Sequence, residues 1–157
     1  PSGRDRPIHR VAIQNKPVFT ILMTDTISKK ERSGIMSKVR GKNSKIELCF
    51  KKHLRGSHFQ YQPLRIYGKP DFAIKSLKIA VFVDSCFWHR CLRHFRAPHS
   101  NRSYWIPKIS GNVARDKKVN KKLRKEGWMV FRIWEHQIGR NPKKTANMVI
   151  RAVKRRK

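Results

Sequence analysis

Two apolar runs stand out along the chain: Lys78-Ile79-Ala80-Val81-Phe82-Val83 and Trp128-Met129-Val130-Phe131-Arg132-Ile133-Trp134. β-Branched and aromatic residues dominate both, so each reads as a buried strand. Upstream, the pattern predicts an edge strand from Phe59 to Gln62, a turn at Gly68-Lys69-Pro70 and a short strand Asp71-Phe72-Ala73-Ile74 that pairs with the first run. Helical spacing appears in four places. Ser28 and Glu31 have capping-box spacing ahead of Ile35, Met36 and Val39, and Gly41 ends that helix. Ser44 opens a second helix that carries Ile46, Leu48, Cys49, Phe50 and Leu54 and stops at Gly56. Asp116 to Glu126 is a lysine-rich helix closed by Gly127, and Pro142 to about Lys154 is a last helix with proline in its first turn. Arg96 to Asn112, with two prolines and a glycine, reads as a loop with one helical turn around Trp105.

These elements predict an α/β domain with a mixed central sheet. The strand, helix, strand order from Lys78 to Trp134 is a crossover between parallel strands, so both strands end on one edge. That edge collects Glu135-His136 beside Cys86, and it is where open α/β sheets commonly carry their sites. Residues 1–22 show no period and read as a flexible basic arm, leaving 23–157 as one domain; Met23 is a plausible natural start.

Charge narrows the class of partner. Lys and Arg number 39 against 9 Asp plus Glu, a formal net charge of +30. Such self-repulsion calls for a polyanion, and DNA or RNA is the natural one; a ribosome-associated or merely basic protein is the bland alternative. The three cysteines do not suit a disulfide framework, which favours a reducing, intracellular setting. No apolar run approaches membrane-spanning length, and the chain reads as soluble.

The densest chemistry lies from Asp84 to His94. Cys86, Cys91 and His94 are spaced C-x4-C-x2-H, and the crossover offers His136 as a fourth donor. Two thiolates and two imidazoles suit a closed, structural tetrahedral Zn²⁺ site; the competing arrangement is a pair of buried thiols beside exposed histidines. Asp71 heads one strand where Asp84 ends its antiparallel neighbour, so Asp71 and a group near Asp84 could share a divalent ion. Each acid also has a plainer role: Glu47 as the partner of Ser44 in a capping box, Asp116 as a helix-start residue, Pro70-Asp71 as a turn.

Taken in order, Pro70-Asp71-Phe72, the run Asp84 to His94, Pro98, Tyr104-Trp105, Lys108-Ile109, Asn112-Val113, Arg115-Asp116 and Gly127-Trp128 through Trp134-Glu135 resemble the very-short-patch-repair (Vsr) mismatch endonucleases. The resemblance runs from about Met23 to Ile138 and includes Arg32-Ser33, Met36-Ser37, Arg40-Gly41-Lys42 and Glu47. It implies a restriction-endonuclease-like α/β/α core with a structural zinc site, Mg²⁺ as catalytic cofactor, and nicking of one DNA strand beside the thymine of a T:G mismatch. Carried over by position, Asp71 is the main Mg²⁺ ligand with the backbone carbonyl of Val83, and Glu47 assists through water. His89 activates water or assists at the scissile phosphate, and Asp116 orients His89 or the metal's water shell. Phe87, Trp88 and Trp105 resemble aromatics that wedge into the base stack, and Met36 a residue that enters a groove; core packing is the competing role for Met36, Trp88 and Trp105. The polar neighbours His89 and Tyr104 favour exposure of the two tryptophans.

This chain departs from the family pattern at Ser85 and Arg90, where many relatives have glycine, at Asp84, where some have histidine, and at His136, where some have cysteine. The implied setting is a monomer acting on duplex DNA in the cytoplasm, at the nucleoid, with mismatch-repair proteins as candidate partners. Two rivals remain: a site-specific mobile-element endonuclease on the same core, and a non-catalytic zinc-containing DNA-binding module.

Overall fold

In the computed structural model, which describes residues 44–99 and 101–156, four strands form one sheet in the order β1-β2-β3-β4. These are β1 (Gln60–Tyr61), β2 (Phe72–Ile74), β3 (Ile79–Asp84) and β4 (Met129–Trp134). β1 with β2 and β2 with β3 pair antiparallel, whereas β3 and β4 run parallel from Ile79 opposite Met129 to Asp84 opposite Trp134. The sheet is therefore mixed, and β3 and β4 end on one edge.

Alternation along the strands sends successive side chains to opposite faces. Phe72, Ile74, Ile79, Val81 and Ile133 pack on one face against α1 (Lys45–His53), α3 (Glu135–Arg140) and α4 (Pro142–Lys154), which contribute Phe50, Leu54, Ile138, Val149 and Val153. Ala73, Ala80 and Phe82 face the other side, where Val119 and Leu123 of α2 (Arg102–Lys125) cover them. Two alanines in register across β2 and β3 let α2 approach closely. Gly68 serves the same contact: its φ is +79°, and a Cβ there would sit 2.3 Å from Val119 Cγ1, so a side chain fails on both backbone and steric grounds.

The second predicted helix is α1, capped as expected: the Glu47 N–H donates to Ser44 Oγ at 3.2 Å and the Ser44 hydroxyl donates to Glu47 Oε1 at 2.8 Å. It ends at Leu54, two residues before Gly56. α4 begins at Pro142, as the sequence predicts, and the Asn141 side chain caps it by accepting the Lys144 N–H.

The stretch expected to be a loop from Arg96 to Asn112 is corrected from residue 102 onward, where α2 runs unbroken through Pro107 and Gly111. Trp105, Ile109, Asn112, Asp116, Val119 and Leu123 follow spacings of three and four and turn inward, whereas Pro107 and Gly111 lie on the exposed side. The burial of Trp105 and Ile109 outweighs the missing proline N–H, and the polar Asn112 and Asp116 interrupt the apolar stripe by which the helix would have been recognised. α3 is a second unanticipated element, starting directly at the end of β4. The expected arm 1–22, the helix from Ser28 to Gly41 and Met36 lie outside the described residues. Among the described residues, no helix is long and apolar enough to cross a membrane.

Candidate active site and metal centre

Where β3 ends, a cavity of about 220 Å³ opens between the sheet and α2, lined by Glu47, Asp71, Asp84, His89, Asp116 and Arg132 among others. Asp71 reaches it from the residue before β2. Its N–H donates to the carbonyl of Val81 and its Oδ2 accepts the Val83 N–H at 2.7 Å, so the carboxylate is pinned beside the Val83 peptide. Burial pushes the Asp71 carboxyl up to about 6, with repulsion from Glu47 and Asp84 adding to it against the Val83 N–H, which lowers it. A carboxylate made costly by burial and by neighbouring acids is one that a cation would relieve.

Glu47, buried in the first turn of α1, accepts the Ser44 hydroxyl on Oε1 and the Tyr61 hydroxyl on Oε2 at 2.9 Å. Burial first, and then this bond to Glu47, raise Tyr61 to about 12, so it remains a neutral donor. The capping role and the cavity role that compete for Glu47 in the sequence are thus compatible, since one carboxylate serves both.

His89 Nδ1 lies 2.5 Å from Asp116 Oδ2, 3.8 Å from Asp84 Oδ1 and 3.5 Å from the Arg132 guanidinium. An imidazole nitrogen facing a carboxylate at that distance carries the proton, because two lone pairs would repel; Nε2 is then the basic nitrogen of the neutral ring. Asp84 is buried and bound through both oxygens by Arg132, whose Nε and one terminal nitrogen donate at 2.6 and 2.5 Å. Asp84 is accordingly tied to a guanidinium, and Asp71 is the acid that faces Val83.

Behind the cavity, Cys86, Cys91, His94 and His136 converge, with their donor atoms all within 4.8 Å of one another. Cys86 Sγ lies 3.1 Å from His136 Nδ1 and 4.0 Å from His94 Nδ1, and Cys91 Sγ 3.7 and 3.8 Å from His94 and His136. Tetrahedral zinc with ordinary bond lengths separates sulfur and nitrogen ligands by about 3.5 Å, and these spacings bracket that value. Burial, offset in part by a hydrogen bond from the His136 backbone N–H and reinforced by Cys91, raises the Cys86 thiol to about 12 without a metal; burial and then the nearby His94 and Arg93 lower His136. A neutral imidazole and a thiol that ionises only with a partner suit a metal that displaces the proton. The donor set therefore fits zinc.

Phe87, Trp105 and Ile109 form a separate buried cluster, with Phe87 and Trp105 centroids 5.6 Å apart and Trp88 packed at its edge. The expected exposure of Trp105 is corrected: α2 directs it inward, opposite its exposed neighbour Tyr104, while Trp88 is half-buried. Asn112 donates to the Trp88 carbonyl at 3.2 Å and so joins α2 to the loop that carries His89.

Sequence reasoning missed Arg132 and Tyr61 in this region, and it brought Glu135 beside Cys86 without giving it a role. Arg132 is the charged interruption of an otherwise apolar strand, and that anomaly was its available signal. Glu135 accepts the Cys86 N–H at 2.8 Å and the Ser85 hydroxyl at 3.3 Å, bracing the start of the cysteine loop. Tyr61, on an edge strand of two residues, carried no signal.

A family model described as DNA mismatch endonuclease Vsr matches residues 24–93. The chain is 36% identical over 134 residues to the type II nicking enzyme V.NmeDIP of Neisseria meningitidis serogroup C, covering 83% of this chain and 90% of that protein. It is 32% identical over 117 residues to the DNA mismatch endonuclease Vsr of Escherichia coli (strain K12), covering 72% of this chain and 74% of that protein. With the type II nicking enzyme V.NaeI of Lentzea aerocolonigenes it shares 51% identity over 69 residues, 44% of this chain and 42% of that protein. The chain is a DNA endonuclease. The chain belongs to the Vsr family.

Proposed function

We propose that this chain nicks one strand of duplex DNA at a T:G mismatch by Mg²⁺-dependent hydrolysis, initiating very-short-patch repair, on a restriction-endonuclease-like core held by structural zinc. The observation that carries the chemistry is the meeting, in one cavity, of the buried Asp71 with a hydrogen-bonded His89–Asp116 pair. Kinship to nicking enzymes supports a single-strand break, and kinship to a mismatch endonuclease supports the substrate.

Asp71 and the Val83 carbonyl would hold Mg²⁺, which when bound offsets charge on the scissile phosphate and its leaving oxygen. Glu47, fixed by Ser44 and Tyr61, orients water at that ligand set. Asp116 holds the Nδ1 proton of His89, so Nε2 can take a proton from the attacking water. Cys86, Cys91, His94 and His136 would hold the zinc that fixes the loop on which His89 sits. Trp88, at the rim of the aromatic cluster, offers a stacking surface beside an already weak base pair; Phe87 and Trp105 follow only if that cluster opens. The chain acts as a monomer in this reading, and its excess of basic residues supplies the phosphate contacts.

The test is a nicking assay on otherwise identical matched and T:G duplexes, with and without Mg²⁺. Mismatch-selective, Mg²⁺-dependent nicking is expected. Equal cutting of matched DNA would replace the repair role with site-specific cleavage, as in a mobile-element enzyme.

A further inference from the structure

Arg132 sits in the middle of β4, where the strand alternation would place an apolar side chain. The parallel register sets it opposite Phe82, over whose ring its guanidinium stacks at 4.8 Å, and two residues further along β3 it meets Asp84. It donates through Nε and a terminal nitrogen to both oxygens of Asp84, and the same terminal nitrogen lies 3.1 Å from Asp116 Oδ1. The two oxygens of Asp116 are thereby divided, Oδ1 toward Arg132 and Oδ2 toward His89.

This division fixes the carboxylate plane. Asp116 lies on α2 and His89 on the cysteine loop, so nothing local in the chain aligns them; Arg132 anchors the carboxylate to the sheet instead. Asp84, with 4% of its surface exposed, is a buried carboxylate matched by a cation, and a planar fork meets both oxygens of one carboxylate while reaching a second. With its guanidinium already facing two acids, Arg132 is poorly suited to grip a DNA phosphate.

We propose that Arg132, braced by Asp84, is a positioning residue that sets Asp116 to hold His89 in the Nδ1–H form with Nε2 toward the cavity. This rests on the proposed function only in assigning His89 to the reaction. An α2 carboxylate without the fork swings, and His89 then samples both tautomers and several ring orientations, which slows a proton transfer that depends on alignment.

The experiment uses the full chain as wild type, the double variant Asp84→Asn/Arg132→Gln, which removes the Arg132 fork together with the Asp84 charge it pairs and leaves Asp116 to His89 alone, and Arg132→Lys, which keeps the charge but loses the fork. Side-chain ¹⁵N spectra of His89, affinity for a T:G duplex and single-turnover nicking are measured for each. Wild type is expected to show the Nδ1–H tautomer alone. Both variants should show mixed tautomers, bind DNA within about threefold of wild type and nick on the order of tenfold or more slower.

A folded variant with the wild-type tautomer and rate would overturn the proposal and leave Arg132 a structural ion pair. Weaker DNA binding at an unchanged single-turnover rate would overturn it in favour of a phosphate contact. Because Arg132→Lys retains charge against Asp84, it decides the matter should the double variant not melt cooperatively. Failure of the wild type to nick would sink the proposed function alone, since the tautomer spectra still decide the role of Arg132.

Discussion

Asp116 Oδ2 lies 2.5 Å from His89 Nδ1 although the two residues come from a 24-residue helix and from the cysteine loop. Replacing the imbalance of a carboxylate with an amide tests what that contact does. Asp116→Asn presents either an amide N–H or a carbonyl to Nδ1 and no longer dictates the tautomer. Single-turnover nicking should fall about 100- to 10,000-fold in His89→Ala and by at least about tenfold in Asp116→Asn, with DNA affinity little changed. Rates within threefold of wild type would remove both residues from the reaction.

Asp71 makes stability pH-dependent in the metal-free protein. Its folded-state value of about 6 exceeds the ordinary 3.8, so the native state binds more protons than the unfolded state between those values. Its contribution is fully present below pH 3.8 and is lost as pH rises through about 6. The loss amounts to about 3 kcal/mol at most. Asp71→Asn keeps an acceptor for the Val83 N–H and removes the charge. We expect it to abolish nicking, leave DNA binding intact, and raise metal-free stability at pH 8 by about 1–2 kcal/mol in urea melts. A destabilised Asp71→Asn protein would contradict this account.

Protons and Mg²⁺ compete for the same carboxylate. Below about pH 6 the apparent Mg²⁺ affinity should weaken roughly tenfold per pH unit, as measured by the Mg²⁺ dependence of nicking at fixed DNA. A Mg²⁺ requirement that does not change between pH 5 and 7 would point to a different ligand.

The four-donor cluster should bind one zinc per chain. His94→Ala, altering its most exposed member, is expected to lose the metal and to lower Tm by about 10 °C or more, with a chelator producing the same shift in wild type. Full zinc content in the purified variant would take His94 off the ligand set.

Trp105 offers a test of burial against stacking. With 8% of its surface exposed and Phe87 and Ile109 around it, Trp105→Ala should cost about 3–5 kcal/mol of stability before any DNA is present. A loss under about 0.5 kcal/mol would mean that the ring spends its time outside the cluster.

The strands were legible because β-branched and aromatic residues fill them: Ile79 to Val83 are apolar throughout, and Met129 to Trp134, only partly buried apart from Ile133, are apolar at every position but Arg132. α2 was not legible in its first half. Its inward stripe carries Asn112 and Asp116 where a core helix would carry leucine, and Pro107 with Gly111 argued against it locally. Those polar positions are the ones that face Trp88 and His89, so the helix was obscured at the place where it serves the cavity.

The cysteine and histidine spacing, together with the parallel crossover, already placed Cys86, Cys91, His94 and His136 on one sheet edge. Local sequence thus determined the strands, the cap at Ser44, the helix start at Pro142, the basic character and the donor set, because each depends on neighbours within a few residues or on composition. Tertiary structure alone decided that Asp84 pairs with Arg132, that Glu47 meets Tyr61, and that Trp105 turns inward. Those relationships depend on strand register and on the seating of α2, where a shift of one residue would send every one of these side chains elsewhere.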